Sequence, residues 1–347
     1  MNALRGLAAL LVVFSHLAAF TGYGFGPDRE GHFGVMLFFT LSGFLMGLLY
    51  LGQPAGARQV AGYAVARFSR IAPPYLIVVL LSFAIYTLVD PGFPYAIDRH
   101  NLLRHLFFSG NVSVLWSIPP EVQFYALFIA LWWAVQRAQT GRGAGALIAV
   151  LGLAVIAICL RDAVPGTFVS SKLQYFLMGA MVGWLHPRLL RAAPVSTLAL
   201  TLLQAAMLAS LLLFMVGAIN LRADYWLDLA PALVCGLAVY AFSHDRTAIE
   251  AALAARPLQW LGDWSFSLYL LHVPVLYLLG EAGLPRGSAL SALIGVSGVL
   301  LATAAFSVGV EHPACAACKR RLTAWLRPRS VAPTLARDLA TDRSPTP

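Results

Sequence analysis

Long apolar runs separated by short polar stretches recur along the chain, at about 5–22, 33–51, 71–89, 121–136, 143–160, 172–186, 196–218, 227–243, 261–280 and 287–310. Runs of this length suit α-helices that cross about 30 Å of hydrocarbon, because only a helix or a closed barrel pairs every backbone polar group inside lipid. The pattern therefore predicts an all-α polytopic membrane protein with about ten transmembrane helices. The runs at 121–136 and 172–186 are the shortest. The first run lacks a small-residue cleavage site and has a very short segment before it, so it is read as the first helix and not as a signal peptide. Gly-rich Thr140 to Gly145 predicts a tight turn between the fourth and fifth helices. A transmembrane domain over 1–318 is expected to be followed by a basic, disordered tail over 319–347, rich in Arg, Pro, Ser and Thr.

Composition agrees with a bilayer as the solvent, with 59% hydrophobic and only 11% charged residues. The net charge of +9 follows topology. With the N terminus inside, most lysines and arginines, among them Arg58, Arg137, Arg142, Arg188 and the tail's Lys319 and Arg320, fall on the cytoplasmic side. Arg29, Arg99, Arg104, Lys172 and Arg222 fall opposite. That asymmetry predicts a multi-pass protein of the cell inner membrane with both termini cytoplasmic. The positive charge then reflects topology and attraction to anionic lipid rather than nucleic acid binding. Four cysteines give no disulfide framework. The Cys315-x-x-Cys318 pair, at the cytoplasmic end of the last helix, is read as ordinary helix residues sooner than as a redox pair, and no metal site is expected.

Polar residues inside these runs carry the candidate chemistry. His16 follows Arg5 by eleven positions, about 20° apart on one helix face and about 16 Å further along. This puts a titratable ring near mid-membrane, where it needs a partner or a function. In the second run Ser42 precedes Gly43, a pair that more often serves close helix packing. Arg67 and Arg70, at i and i+3 by the cytoplasmic mouth of the third helix, form either a plain positive-inside anchor or a planar two-pronged phosphate clamp. Trp116, Ser117, Glu121 and Tyr125 open the fourth helix on the far side. There Glu121 either complements the helix dipole or orients an acceptor hydroxyl, and Trp116 offers a face for a sugar. In the ninth run Ser265, Tyr269 and His272 share a helix face, and Ser267 lies beside them. A buried histidine is more often structural than catalytic, although this stripe would line a cavity in a bundle.

Taken in order, these segments resemble the acyltransferase-3 family of integral membrane O-acyltransferases over nearly the whole chain. The resemblance rests on Arg5-Gly6-Leu7-Ala8…His16, Phe38-Phe39…Leu41-Ser42-Gly43-Phe44, Arg67…Arg70-Ile71…Pro73, Trp116-Ser117…Glu121…Gln123-Phe124-Tyr125, Ser265…Ser267-Leu268-Tyr269-Leu270-Leu271-His272…Pro274 and Glu311…Pro313. The chain departs from the family pattern at Asn2, where an aspartate is usual. It also departs at Val122, where a second glutamate is common, at His312, in place of an arginine, and at Pro119-Pro120.

The resemblance implies transfer of an acyl group, usually acetyl, from cytoplasmic acyl-CoA as co-substrate, with no bound cofactor. The acceptor would be a hydroxyl of a glycan or glycolipid, here a cell-surface polysaccharide or its lipid-linked precursor. His16 and Glu121 would be catalytic. Arg5, Arg67 and Arg70 would bind acyl-CoA, and Ser42, Trp116, Ser117, Tyr125, Ser265, Ser267, Tyr269 and His272 would line the acceptor cavity. The donor would enter from one face and the sugar from the other, with His16 acting as general base or as a transient acyl carrier. Some relatives append an extracytoplasmic domain that completes the transfer, so a separate partner could take the group here. Acylation of a small molecule such as a macrolide is the nearest competing activity. A proton-coupled transporter, with His16, Glu121 and His272 as a relay, is the competing class. It lacks the inverted repeats such proteins usually show.

Overall fold

A computed structural model describes the chain except residues 24–29, 142, 193–194, 216–217, 219–223, 225–226 and 327–347. Arg29, Arg142, Arg222 and most of the expected tail thus lie outside the described residues. In order, the helices are α1 (Asn2–Thr21), α2 (Glu30–Tyr50), α3 (Ala57–Leu88), α4 (Leu102–Leu106), α5 (Ile118–Gln139), α6 (Ala144–Cys159), α7 (Leu173–Ala192), α8 (Thr197–Met215), α9 (Leu229–Ala241), α10 (Ala248–Leu253), α11 (Arg256–Asp263), α12 (Ser265–Glu281), α13 (Ala289–Phe306) and α14 (His312–Leu326). The fold is all-α and polytopic. Among the described residues, six helical stretches are long and apolar enough to span a membrane, and three shorter apolar helices accompany them.

Each of the ten expected runs contains a helix, with changes at the ends. α3 starts at Ala57 rather than near 71 because Arg58, Gln59, Arg67 and Arg70 interrupt the apolar pattern without interrupting the helix. It packs against α14. The expected 261–280 helix is two helices that meet at Trp264. Beyond Phe306 the chain passes through a π-helical segment, Ser307–Glu311, and continues as α14 to Leu326. Residues 319–326, expected in the disordered tail, are therefore helical. Alongside α3, the Cys315 thiol donates to the Arg70 carbonyl at 3.7 Å.

Small residues set the tightest seam. α2 carries Gly43 and Gly47, and α7 carries Gly179 and Gly183, at the i, i+4 spacing that lets two helix backbones touch. A methyl group on Gly43 would come within 2.0 Å of the Phe176 carbonyl oxygen, and one on Gly179 within 1.9 Å of that of Thr40. The Phe124 and Phe176 rings, stacked at 4.3 Å and 17°, tie α5 to this pair. α1 packs between α2, α11, α12 and α13. It ends at Gly22, whose φ of 68° is the left-handed turn that favours glycine. There the Gly287 N–H donates to the Thr21 carbonyl at 2.8 Å, which holds the start of α13 against the end of α1.

Candidate active site

Hydrogen bonds from Trp132 Nε1 to the Gln53 carbonyl (2.8 Å) and from the Tyr63 hydroxyl to the Tyr125 carbonyl (3.0 Å) hold α5 antiparallel to the first half of α3. The segment between α3 and α5 folds back into the bundle. It buries Tyr95, Ile97 and Leu115 completely, and Tyr95 donates to the Leu270 carbonyl at 2.9 Å. α5 consequently begins inside the protein, level with the middle of α3. Pro119 and Pro120 suit that start, because the first helical turn has no intrahelical use for their missing N–H groups.

A cavity of about 230 Å³ opens where these elements meet α1, α2 and α12, and Arg5, Ser42, Arg67, Arg70, Ser117, Glu121, Tyr125, Ser265 and Tyr269 are among its walls. The sequence placed the arginines and the Trp116 to Tyr125 segment at opposite faces of the membrane. The structure brings them into one chamber instead. The arginine pair lies well inside α3 rather than at its mouth, and the re-entrant segment carries the start of α5 down to meet it.

Glu121 is held by two donors, Ser42 Oγ and the Tyr125 hydroxyl, each at 2.7 Å from Oε1. The Arg67 guanidinium lies 5.9 Å from the ring centres of both Tyr50 and Tyr125, within cation–π range. Among the described residues the sole ion pair, Arg161 with Asp162, is elsewhere. Arg5 Nε, Arg67 Nε and Ser265 Oγ are buried without a hydrogen-bond partner. Buried donors are seldom left unpaired. Three guanidiniums facing a single carboxylate therefore describe a cavity suited to a ligand carrying several negative charges.

The two histidines stand next to this cavity and are not among its walls. His16 lies five residues before the end of α1, about 7.5 Å from that end. Its Nδ1–H donates to the Val12 carbonyl at 2.8 Å, and that of His272 to the Tyr269 carbonyl at 2.7 Å. Each ring is thus fixed with a basic Nε2. The rings meet edge to face at 5.0 Å. His272 in turn lies 5.9 Å from Tyr269, whose ring meets Phe38 at 6.3 Å. Tyr269 and Phe38 both line the cavity, so a continuous row of rings joins it to His16. Tyr269 is itself pinned, donating to the Val114 carbonyl at 2.7 Å and accepting from Ser117 at 2.8 Å.

Two further expected residues serve other neighbours. Trp116 carries the Lys172 ammonium 5.7 Å from its ring centre. Ser267 donates to Glu311 Oε2, as does Ser307 at 3.1 Å. Glu311 is 1% exposed and its Oε1 has no partner. Its burial had no signal in the apolar pattern beyond a carboxylate at the end of an otherwise uncharged run. Lys172 is also almost wholly buried, and a lone lysine at a helix mouth reads in sequence as an interfacial anchor. Asn2, at a departure from the family pattern, donates to Asp263 Oδ1 at 2.7 Å, so the carboxylate at that join sits on α11 rather than on α1.

A family model described as an acyltransferase domain matches residues 1–312. The chain belongs to this acyltransferase family. It is 24% identical to acyltransferase MdmB of Streptomyces mycarofaciens, over 99% of this chain and 96% of that protein. It is 28% identical to exopolysaccharide production protein ExoZ of Rhizobium meliloti, over 91% of this chain and 99% of that one. With peptidoglycan O-acetyltransferase OatA of Listeria monocytogenes it shares 24% identity over 80% of this chain, and spans 49% of the relative. No solved structure matches. Family and helices together make the chain a multi-pass membrane acyltransferase.

Proposed function

We propose that this acyltransferase moves an acyl group, acetyl in the simplest case, from acyl-CoA on the cytoplasmic side to a hydroxyl of a cell-surface glycan or its lipid-linked precursor. The observation that carries this reading is the cavity with three guanidiniums, one carboxylate and unpaired buried donors, which suits the phosphates of CoA. The names of ExoZ and of peptidoglycan O-acetyltransferase OatA favour a glycan acceptor. In the reaction, His16 Nε2 takes the proton of the acceptor hydroxyl. The oxygen attacks the thioester carbonyl, a C–O bond forms, and the C–S bond breaks. The leaving thiolate then recovers a proton from the imidazolium. Glu121, fixed by Ser42 and Tyr125, orients the acceptor, and the His272 ring, packed edge to face on His16, keeps that ring in place. In a variant of the chemistry His16 carries the acyl group itself between donor and acceptor.

The test uses purified protein in lipid nanodiscs and acetyl-CoA labelled in the acetyl group. Arg67→Ala/Arg70→Ala should weaken donor binding by about 100-fold, the loss of two charge-assisted contacts. His16→Ala should bind normally and release no CoA. Label retained on wild-type protein but not on His16→Ala would select the acyl-histidine route. Wild-type protein without saturable acetyl-CoA binding would overturn the donor assignment, and normal turnover in His16→Ala would remove His16 from the chemistry.

A further inference from the structure

Pro73 and Pro74 lie inside α3, directly after the stretch that carries Arg67 and Arg70. A proline has no N–H, so the carbonyls four residues back, those of Ser69 and Arg70, lose their intrahelical donors, and the pyrrolidine rings crowd the same carbonyls. Helices bend at such points unless other groups hold them. The angle at which Arg70 faces the chamber therefore depends on contacts made from outside α3. α14 supplies one of them. It packs on α3, as does the π-helical segment before it, and the Cys315 thiol donates at 3.7 Å to the Arg70 carbonyl, the one that Pro74 leaves open.

The start of α14 is itself anchored. Glu311 closes the π-helical segment, is 1% exposed, and accepts from Ser307 at 3.1 Å and from Ser267 of α12. Ser265, two residues before Ser267, is a wall of the chamber. A π-helical turn holds an extra residue, which rotates everything after it by about 100°, so this turn sets which face of α14 meets α3. Cys315 lies beyond the residues 1–312 that the family model matches. Resting on the donor reading above, we infer that Cys315 is a positioning residue for Arg70. By donating to the carbonyl that Pro74 leaves open, its thiol holds Arg70 where the guanidinium meets the CoA phosphates, and Glu311 holds the helix that carries the thiol. Simple packing of α14 on α3 is the rival account. It gives no reason for a donor at this position, whereas the missing N–H of Pro74 does.

The test measures labelled acetyl-CoA binding to full-length protein in nanodiscs. Cys315→Val keeps the bulk of the side chain but donates nothing, and should weaken binding by about three- to fivefold, the factor for one modest hydrogen bond. Cys315→Ser is smaller but still donates, and should stay within about 1.5-fold of wild type. Packing alone predicts the reverse order. Cys318→Ala, one turn further along α14, is the matched control and should bind as wild type does. In an Arg70→Ala background Cys315→Val should cost less than about 1.5-fold more, because the side chain it positions is gone. Full binding stoichiometry at saturation reports that each variant is folded. Unchanged affinity in Cys315→Val, a greater loss in Cys315→Ser, or an undiminished effect without Arg70 overturns the inference while the donor reading stands. Absence of any acetyl-CoA binding in wild type would strike the donor reading, and this inference with it.

Discussion

The seam between α2 and α7 and the space between α3 and α5 are built on opposite principles. At the first, Gly43, Gly47, Gly179 and Gly183 let backbone meet backbone, and a single added methyl would collide with a carbonyl oxygen on the facing helix. At the second, large side chains hold the helices apart, and the gap contains one polar and one apolar cavity. Close packing of small residues gives a rigid frame within a bilayer, where the hydrophobic effect no longer drives helices together. Separation of helices by Arg, Glu and Tyr leaves room for a substrate. The rigid seam fixes Ser42 on α2, and Ser42 in turn fixes Glu121 on α5, so the frame orients the site.

The largest effect should come from breaking the seam. Gly179→Leu should cost more than about 3 kcal/mol through overpacking and yield little folded protein in size-exclusion chromatography. By contrast Gly62→Ala, on α3 with nothing within 4 Å of the added methyl, should be neutral or stabilising by up to about 1 kcal/mol, because alanine favours a helix. Equal losses at both glycines would mean that the two regions are not packed as differently as described.

Glu121→Gln sharpens the comparison from the other side. Its amide oxygen can still accept from Ser42 and Tyr125, so thermal stability should stay within about 1 kcal/mol of wild type. Turnover should fall by about 100-fold if the carboxylate orients or activates the acceptor. Acetyl-CoA should bind more tightly, by about three- to tenfold, because the only carboxylate among the cavity walls is gone. Unchanged turnover would reduce Glu121 to a structural group.

The smallest effect concerns the re-entrant segment that brings α5 to the site. His105, on α4, is fully buried beside Tyr75, whose hydroxyl lies 3.1 Å from Nδ1. Burial pushes its pKa down to about 4, so the folded form favours the neutral ring. An unfolded histidine titrates near about 6.5. Its contribution is therefore complete above that pH and is lost as pH falls toward about 4, amounting to about 1–3 kcal/mol over the interval. Thermal unfolding of wild type and His105→Asn between those pH values should show the steeper decline in wild type. Parallel declines would show that His105 does not control the acid response.

Most of the helices were legible in sequence because a bilayer demands long apolar runs, and the composition leaves few other ways to satisfy the backbone. Charge obscured the rest. Arg58, Arg67 and Arg70 broke the apolar pattern of α3, and Lys319, Arg320 and Arg321 made the end of α14 look like a tail, although both helices persist by packing on each other. Residue types and order single out Arg5, Arg67, Arg70, Ser42, Glu121 and Tyr269 as candidates, since costly polar groups in an apolar run need a reason to be there. Their meeting in one chamber was decided by the tertiary structure, through a re-entrant loop with no periodic signal and through the early start of α3. The placing of His16 beside the chamber rather than within it, and the bond that anchors Glu121 to Ser42, likewise depend on contacts between residues far apart in the chain. One-dimensional patterning records how each segment meets its solvent, while the site is made by how the segments meet one another.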